Sequence, residues 1–244
     1  MPGRAVAADR VRIAPWLAAC LVIAILAGVN VIDNRVQHAT LVAGPVCAVV
    51  LPMTGRLAGL SWADMGLDRG SWGAGLRWAA VEIGLTAVVI AAGAALPQTR
   101  NAFRDSRYHL DLGGALLTSL VLIPVGTVLL EEVAFRGALW GLLREAYGTA
   151  AATIVSSLLF GLWHALPSLG LASDNQAITS TIGSGRSAQL VTVLGTMAFT
   201  AGAGVVFCEL RRRSGSILAP AGLHWAVNGL SVLASAAVWA WGTR

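Results

Sequence analysis

Long apolar stretches alternate with short polar connections along nearly the whole chain. They fall at roughly 13–32, 38–54, 76–96, 111–133, 149–167, 188–210 and 216–241, each near the about 20 residues that a helix needs to cross the hydrocarbon core of a bilayer. The pattern predicts an all-α polytopic membrane protein of about seven transmembrane helices, with six to eight as the range. The first stretch follows Arg4, Arg10 and Arg12. Its rival reading is a signal peptide, but the run is long for such a segment and lacks a small-x-small cleavage site, so a retained span is expected. The longest polar connection, Pro167 to Gln189, is rich in Ser, Thr and Gly and reads as an outer loop. The stretch "GLDRGSWGAGLRW" reads as an interfacial turn and helix with tryptophans at headgroup level.

Composition agrees with the pattern. Of 244 residues 56% are hydrophobic and only 12% charged, with a mean hydropathy of +0.72, which excludes an ordinary soluble domain. All 17 basic residues are arginine and the net charge is +5. These arginines sit in the connections, where membrane orientation accounts for them and no nucleic-acid partner is implied. With the N-terminus in the cytoplasm, Arg56, Arg69, Arg77, Arg144 and Arg211 to Arg213 fall inside, the C-terminus lies outside, and Arg100, Arg104 and Arg107 disagree by falling outside. The arginine-only, Ala- and Gly-rich usage points to a bacterial cytoplasmic membrane as the location. Cys20, Cys47 and Cys208 form no CxxC and lie in apolar segments, so they read as packing residues. The chain is expected to form one transmembrane domain over 1–244, with N-terminal helices over 1–111 and a later group of helices over 112–241.

The residues that break the apolar pattern are Glu82, Glu131, Glu132, Arg136, His164, Glu209, His224 and Asn228. Ionisable groups within a membrane are costly and point to function. Glu82 and Glu209 lie near span ends beside Arg77 and Arg211, and interfacial snorkelling accounts for them. In "EEVAFR" the residues four apart share a helix face, so Glu132 meets Arg136 while Glu131 points about 100° away. A pair that only stabilises the fold explains Glu132 and Arg136. It leaves Glu131 unexplained.

Depth connects the rest. A long helix over 111–146, kinked near Pro124 and followed by a turn at Gly148, sets Glu131 and His164 at nearly equal distances on either side of that turn. In "FGLWH", Phe160 and His164 share a face, as do His224 and Asn228 in "HWAVN". Three helices then aim Glu131, His164, His224 and Asn228 into one buried, water-accessible cavity among the later helices.

These three motifs, Glu-Glu-x-x-x-Arg, Phe-x-x-x-His and His-x-x-x-Asn in this order, resemble those of the CPBP (Abi) family of intramembrane proteases. That family groups CAAX prenyl endopeptidases with bacteriocin-processing enzymes. The resemblance covers about Leu112 to Trp241; the first three spans are similar only in being apolar.

The resemblance implies endoproteolysis of a membrane-associated peptide or protein at or within the lipid bilayer. Glu131 would be the general base on a water positioned by His164, and His224 and Asn228 would bind the developing oxyanion. Glu132 and Arg136 would support the helix. The preferred reading needs no cofactor; the alternative is a Zn²⁺ enzyme with Glu131, His164 and His224 as ligands, although the chain has no HExxH. A non-proteolytic immunity or scaffold protein and a proton-coupled transporter stand as readings of another class. The transporter would be expected to show paired repeats, and the polar set is confined to the later half.

Overall fold

The computed structural model describes residues 13–36 and 38–242; the N-terminal Arg4, Arg10 and Arg12 used for orientation lie outside them. The described residues hold no β-strand, and one isolated bridge pairs Asp105 with Asn175. The helices are α1 (Pro15–Asp33), α2 (Thr40–Leu57), α3 (Trp72–Ala95), α4 (Leu112–Trp163), the short α5 (Leu171–Asp174) and α6 (Gln176–Ile182), α7 (Arg186–Ser214) and α8 (Leu218–Gly242). Helix boundaries have local causes. Pro15 stands in the first turn of α1, where its missing N–H costs nothing. The Asp111 carboxylate accepts from the Gly114 amide at 2.7 Å to cap α4, and α7 stops on Gly215 with φ of 72°.

Six helices among the described residues are long and apolar enough to cross a membrane, and the fold class is the expected all-α, multi-pass one. The count is six where seven stretches were read because α4 is a 52-residue run that turns back on itself. Gly148, at φ 82° and ψ 170°, breaks it into two limbs, 112–147 and 149–163. Three side-chain bonds zip the limbs antiparallel. Trp140 Nε1 donates to Thr153 Oγ1 at 3.2 Å, Ser156 Oγ to the Phe135 carbonyl at 2.9 Å, and Trp163 Nε1 to Glu131 Oε1 at 2.9 Å.

The first limb is also wider than an α-helix. Over Thr118–Val128 and Glu132–Leu139 it is π-helical, with the Leu129 amide reaching the Pro124 carbonyl and the Trp140 amide the Phe135 carbonyl, each five residues back. Pro124 has no N–H to give to a regular ladder, so the chain widens there where a kink was expected.

Around this hairpin the other helices pack closely. Parallel α3 and α8 run side by side, and a Cβ on Gly222 would come within 2.4 Å of the Ala79 Cβ, so only glycine permits the contact. The second limb lies against α7. At one end of the bundle Arg144 pairs with Asp64 at 2.7 Å, and the buried Arg211 donates to the Ala63 and Asp64 carbonyls. The Ser61 hydroxyl, with Arg144 as a lesser contributor, holds the Asp64 carboxyl below the usual carboxylate range. At the other end the Arg104 carbonyl accepts from the Gln176 amide, and Asp105 pairs with Arg107 at 2.7 Å. Asp105 thereby raises the Arg107 guanidinium above its ordinary pKa, against desolvation.

Two expected pairings are corrected. Glu209 binds Arg212 and Arg213 at the surface, because Arg211 is turned inward to the carbonyls. Glu82 does not snorkel: it is buried, and neither carboxylate oxygen accepts a hydrogen bond from the protein.

The turn at Gly148 occupies a backbone region that is essentially glycine's alone. Replacing Gly148 by Ala is expected to lower unfolding stability by roughly 1–3 kcal/mol, read as a lower midpoint for thermal unfolding in detergent, although no atom stands within 4 Å of the added Cβ.

Candidate active site

Two successive carboxylates on the first limb of α4 have opposite fates. Glu132 turns inward, and its Oε1 receives the Arg136 guanidinium at 3.0 Å and His224 Nδ1 at 2.8 Å. Arg136 is fully buried. Its Nε and Nη2 find no protein acceptor, but the guanidinium lies 3.9 Å from the Phe160 ring centroid and 4.7 Å from that of Phe207. Two aromatic faces thus stand where acceptors are missing. Phe207 in turn stacks on the His224 ring at 5.2 Å. The first limb, the second limb, α7 and α8 each contribute to this cluster.

Glu131 is also buried but faces the other way, lining a cavity of about 830 Å³. Its Oε1 accepts from the Trp163 indole. Its Oε2 accepts no hydrogen bond from the protein and stands 3.7 Å from His224 Nε2.

His164 and Asn228, both half-buried, line the same cavity. His164 Nδ1 lies 2.8 Å from the Phe160 carbonyl. A carbonyl only accepts, so Nδ1 carries a proton and Nε2 is the acceptor of the neutral ring. Phe160 therefore has two jobs in its motif: its ring covers Arg136 and its carbonyl fixes the His164 tautomer.

The structure brings Glu131, His164 and Asn228 to the lining of one cavity, and His224 lies outside that lining but 3.7 Å from Glu131. Its Nδ1 is held by Glu132, and because that carboxylate is already committed to Arg136, His224 is the donor in the contact. Its Nε2 can then donate only when the ring is imidazolium.

The cavity also departs from the expectation that later helices alone would build it. Asn30 and Asp33 of α1, Thr40 of α2, and Asp105 and Arg107 of the α3–α4 connection share its lining. Asn30 Nδ2 donates to the Trp163 carbonyl at 2.9 Å, which ties α1 to the end of the second limb. Two of these features carried a sequence signal. Trp163 lies inside the quoted "FGLWH", and Asn30 and Asp33 interrupt the end of the first apolar run.

For a metal, the donors are poorly arranged. Among the described residues no group of three His, Cys, Asp or Glu side chains is gathered so as to hold an ion. Trp163 occupies Glu131 Oε1, the Phe160 carbonyl holds His164 Nδ1 and Glu132 holds His224 Nδ1, which leaves Glu131 Oε2, His164 Nε2 and His224 Nε2 as the atoms that a metal would use.

The family model described as "Type II CAAX prenyl endopeptidase Rce1-like" matches residues 113–230. No curated protein and no solved structure matches the chain.

Removing one partner of a buried ion pair leaves the other uncompensated. Arg136→Met is accordingly expected to destabilise the fold by about 3–5 kcal/mol, whereas the double variant Arg136→Met with Glu132→Gln should recover part of that loss. Thermal unfolding in one detergent compares the three proteins.

Proposed function

We propose, from the match of residues 113–230 to the family model of the Rce1-like type II CAAX prenyl endopeptidases, that the chain is an intramembrane endopeptidase in which Glu131 activates the attacking water. The observation that carries the reading is the asymmetry of the Glu131 carboxylate. One oxygen is held by Trp163, and the other accepts no hydrogen bond from the protein in a cavity that His164 and Asn228 also line.

In this mechanism Glu131 Oε2 takes a proton from a water that His164 Nε2 orients through its lone pair. The resulting hydroxide attacks the scissile carbonyl carbon. Asn228 Nδ2 donates to the oxyanion, joined by His224 Nε2 when that ring is protonated. Glu131 then returns its proton to the leaving amine, so the step neither gains nor loses protons. Low dielectric and fixed donors are the conditions under which such contacts matter most. Glu132 and Arg136 hold the helix and the His224 ring. No step requires a metal.

The cavity lining also supports a direction of access. Asn34, Arg35, Phe103, Asp105, Pro167 and Ser168 stand at one end of the bundle, opposite the connections that carry Arg56, Arg69, Arg144 and Arg211 to Arg213. The positive-inside rule favours that end as the cytoplasmic one, against Arg35, Arg100, Arg104 and Arg107 at the cavity end. The mouth then opens on the other side, beneath the 167–185 connection.

Two experiments test these statements. Purified protein should cleave members of a quenched-fluorescent membrane-peptide library with or without a chelator, and Glu131→Ala should lose essentially all turnover; undiminished cleavage by that variant removes Glu131 as the base, and activity abolished by chelator and restored by zinc replaces the mechanism. For orientation, single cysteines are placed in a variant lacking Cys20, Cys47 and Cys208. A membrane-impermeant maleimide on intact cells should label Ser180→Cys and spare Ala63→Cys, and the reverse pattern turns the mouth toward the cytoplasm.

A further inference from the structure

Among the described residues, Trp163 is the one side chain that touches the Glu131 carboxylate within hydrogen-bond distance. It is held from three directions. Its indole Nε1 donates to Glu131 Oε1 at 2.9 Å, its carbonyl accepts from Asn30 Nδ2 at 2.9 Å, and its ring meets the Phe135 ring edge-on at 5.9 Å. The carbonyl would otherwise be one of the orphans at a helix end, because the second limb stops at Trp163.

The same indole is a partition. On one side is the 830 Å³ cavity with its polar lining, and on the other an apolar groove of about 340 Å³ bounded by Ile23, Leu26, Phe135 and Leu159. Asn30 and Trp163 line both spaces. A mobile residue at this point would open the carboxylate to the apolar groove.

A glutamate with two equivalent free oxygens turns about its last torsion, whose barrier is low and broad. Only one of the resulting orientations suits proton transfer from a positioned water. A donor fixed on Oε1 removes that freedom and commits Oε2 to the reaction. We propose that Trp163 is a positioning residue for the hydrolysis, its indole N–H locking Glu131 Oε1 so that Oε2 alone receives the proton of the water. The inference rests on Glu131 being the base.

The test uses full-length protein in detergent and the cleavage assay above. Trp163→Phe keeps a ring and loses the donor. It should lower kcat roughly 10- to 100-fold, the scale of the loss when a reacting group is misplaced, with KM within about twofold. Unchanged kcat, or a loss confined to KM, overturns the positioning role. The hydrogen bond itself is read without turnover by ¹⁵N-indole NMR of the nine tryptophans, assigned by single Trp→Phe exchanges. In Glu131→Ala the Trp163 indole proton should move upfield while the other eight hold their positions, and a Trp163 signal that stays in place also overturns the proposal, including where Trp163→Phe fails to fold. Should Glu131→Ala cut as fast as wild type, it is the base assignment that falls, an outcome separate from a normal kcat in Trp163→Phe beside an inactive Glu131→Ala.

Discussion

The Glu132–Arg136 pair is the constraint around which the rest of the bundle is arranged. A guanidinium at this depth has no water to turn to, and a carboxylate beside it removes most of the cost only when geometry and further contacts are good. Both conditions are met by a division of labour. Glu132 gives one oxygen to Arg136 and to His224, while Phe160 and Phe207 cover the faces of the guanidinium whose remaining N–H groups lack acceptors. Since these partners come from both limbs of α4, from α7 and from α8, satisfying one arginine fixes the relative depth of four helical segments. The charge pair therefore specifies register more than it adds stability.

Glu131 follows from that arrangement. Once its neighbour holds Arg136, helical geometry turns Glu131 to a different face, and the cluster has no cation left for it. Its nearest charged-capable neighbour is His224 Nε2, at 3.7 Å and beyond a hydrogen bond. The ring that could answer it is already oriented by Glu132. The two adjacent glutamates are thus coupled through one imidazole, and that coupling explains why His224 belongs with the site although it does not line the cavity.

Much of this was legible from spacing. The four-residue interval gave the Glu132–Arg136 pair, and the nearly symmetric positions of Glu131 and His164 about Gly148 gave the hairpin register, which Trp163 meets one residue early. The reason is periodicity: local geometry dictates which residues share a face and a depth. Other features depend on tertiary choices that spacing does not encode. The π-helical widening of the first limb is one of them, whereas the turn at Gly148 divides the long run into the two limbs that separate apolar stretches predict. Glu82 sits near an arginine in sequence yet faces inward along α3, and Arg211 abandons Glu209 for two carbonyls across the bundle. Proximity along a chain sets who can pair, while packing decides who does.

The cavity wall shows the same limit in another form. The matched segment begins at residue 113, yet Asn30, Asp33 and Thr40 from the first two helices line the cavity, and Asn30 holds the carbonyl of the residue that holds Glu131. Apolar spans that look interchangeable in sequence are therefore part of the site through a few polar positions at their ends. Here the wall is closed on both sides of the carboxylate, by the Glu132 cluster beneath and by the Asn30–Trp163 link above. In the proposed hydrolysis such a frame keeps Oε2 turned to the cavity, which is the physical meaning of preorganisation in this bundle.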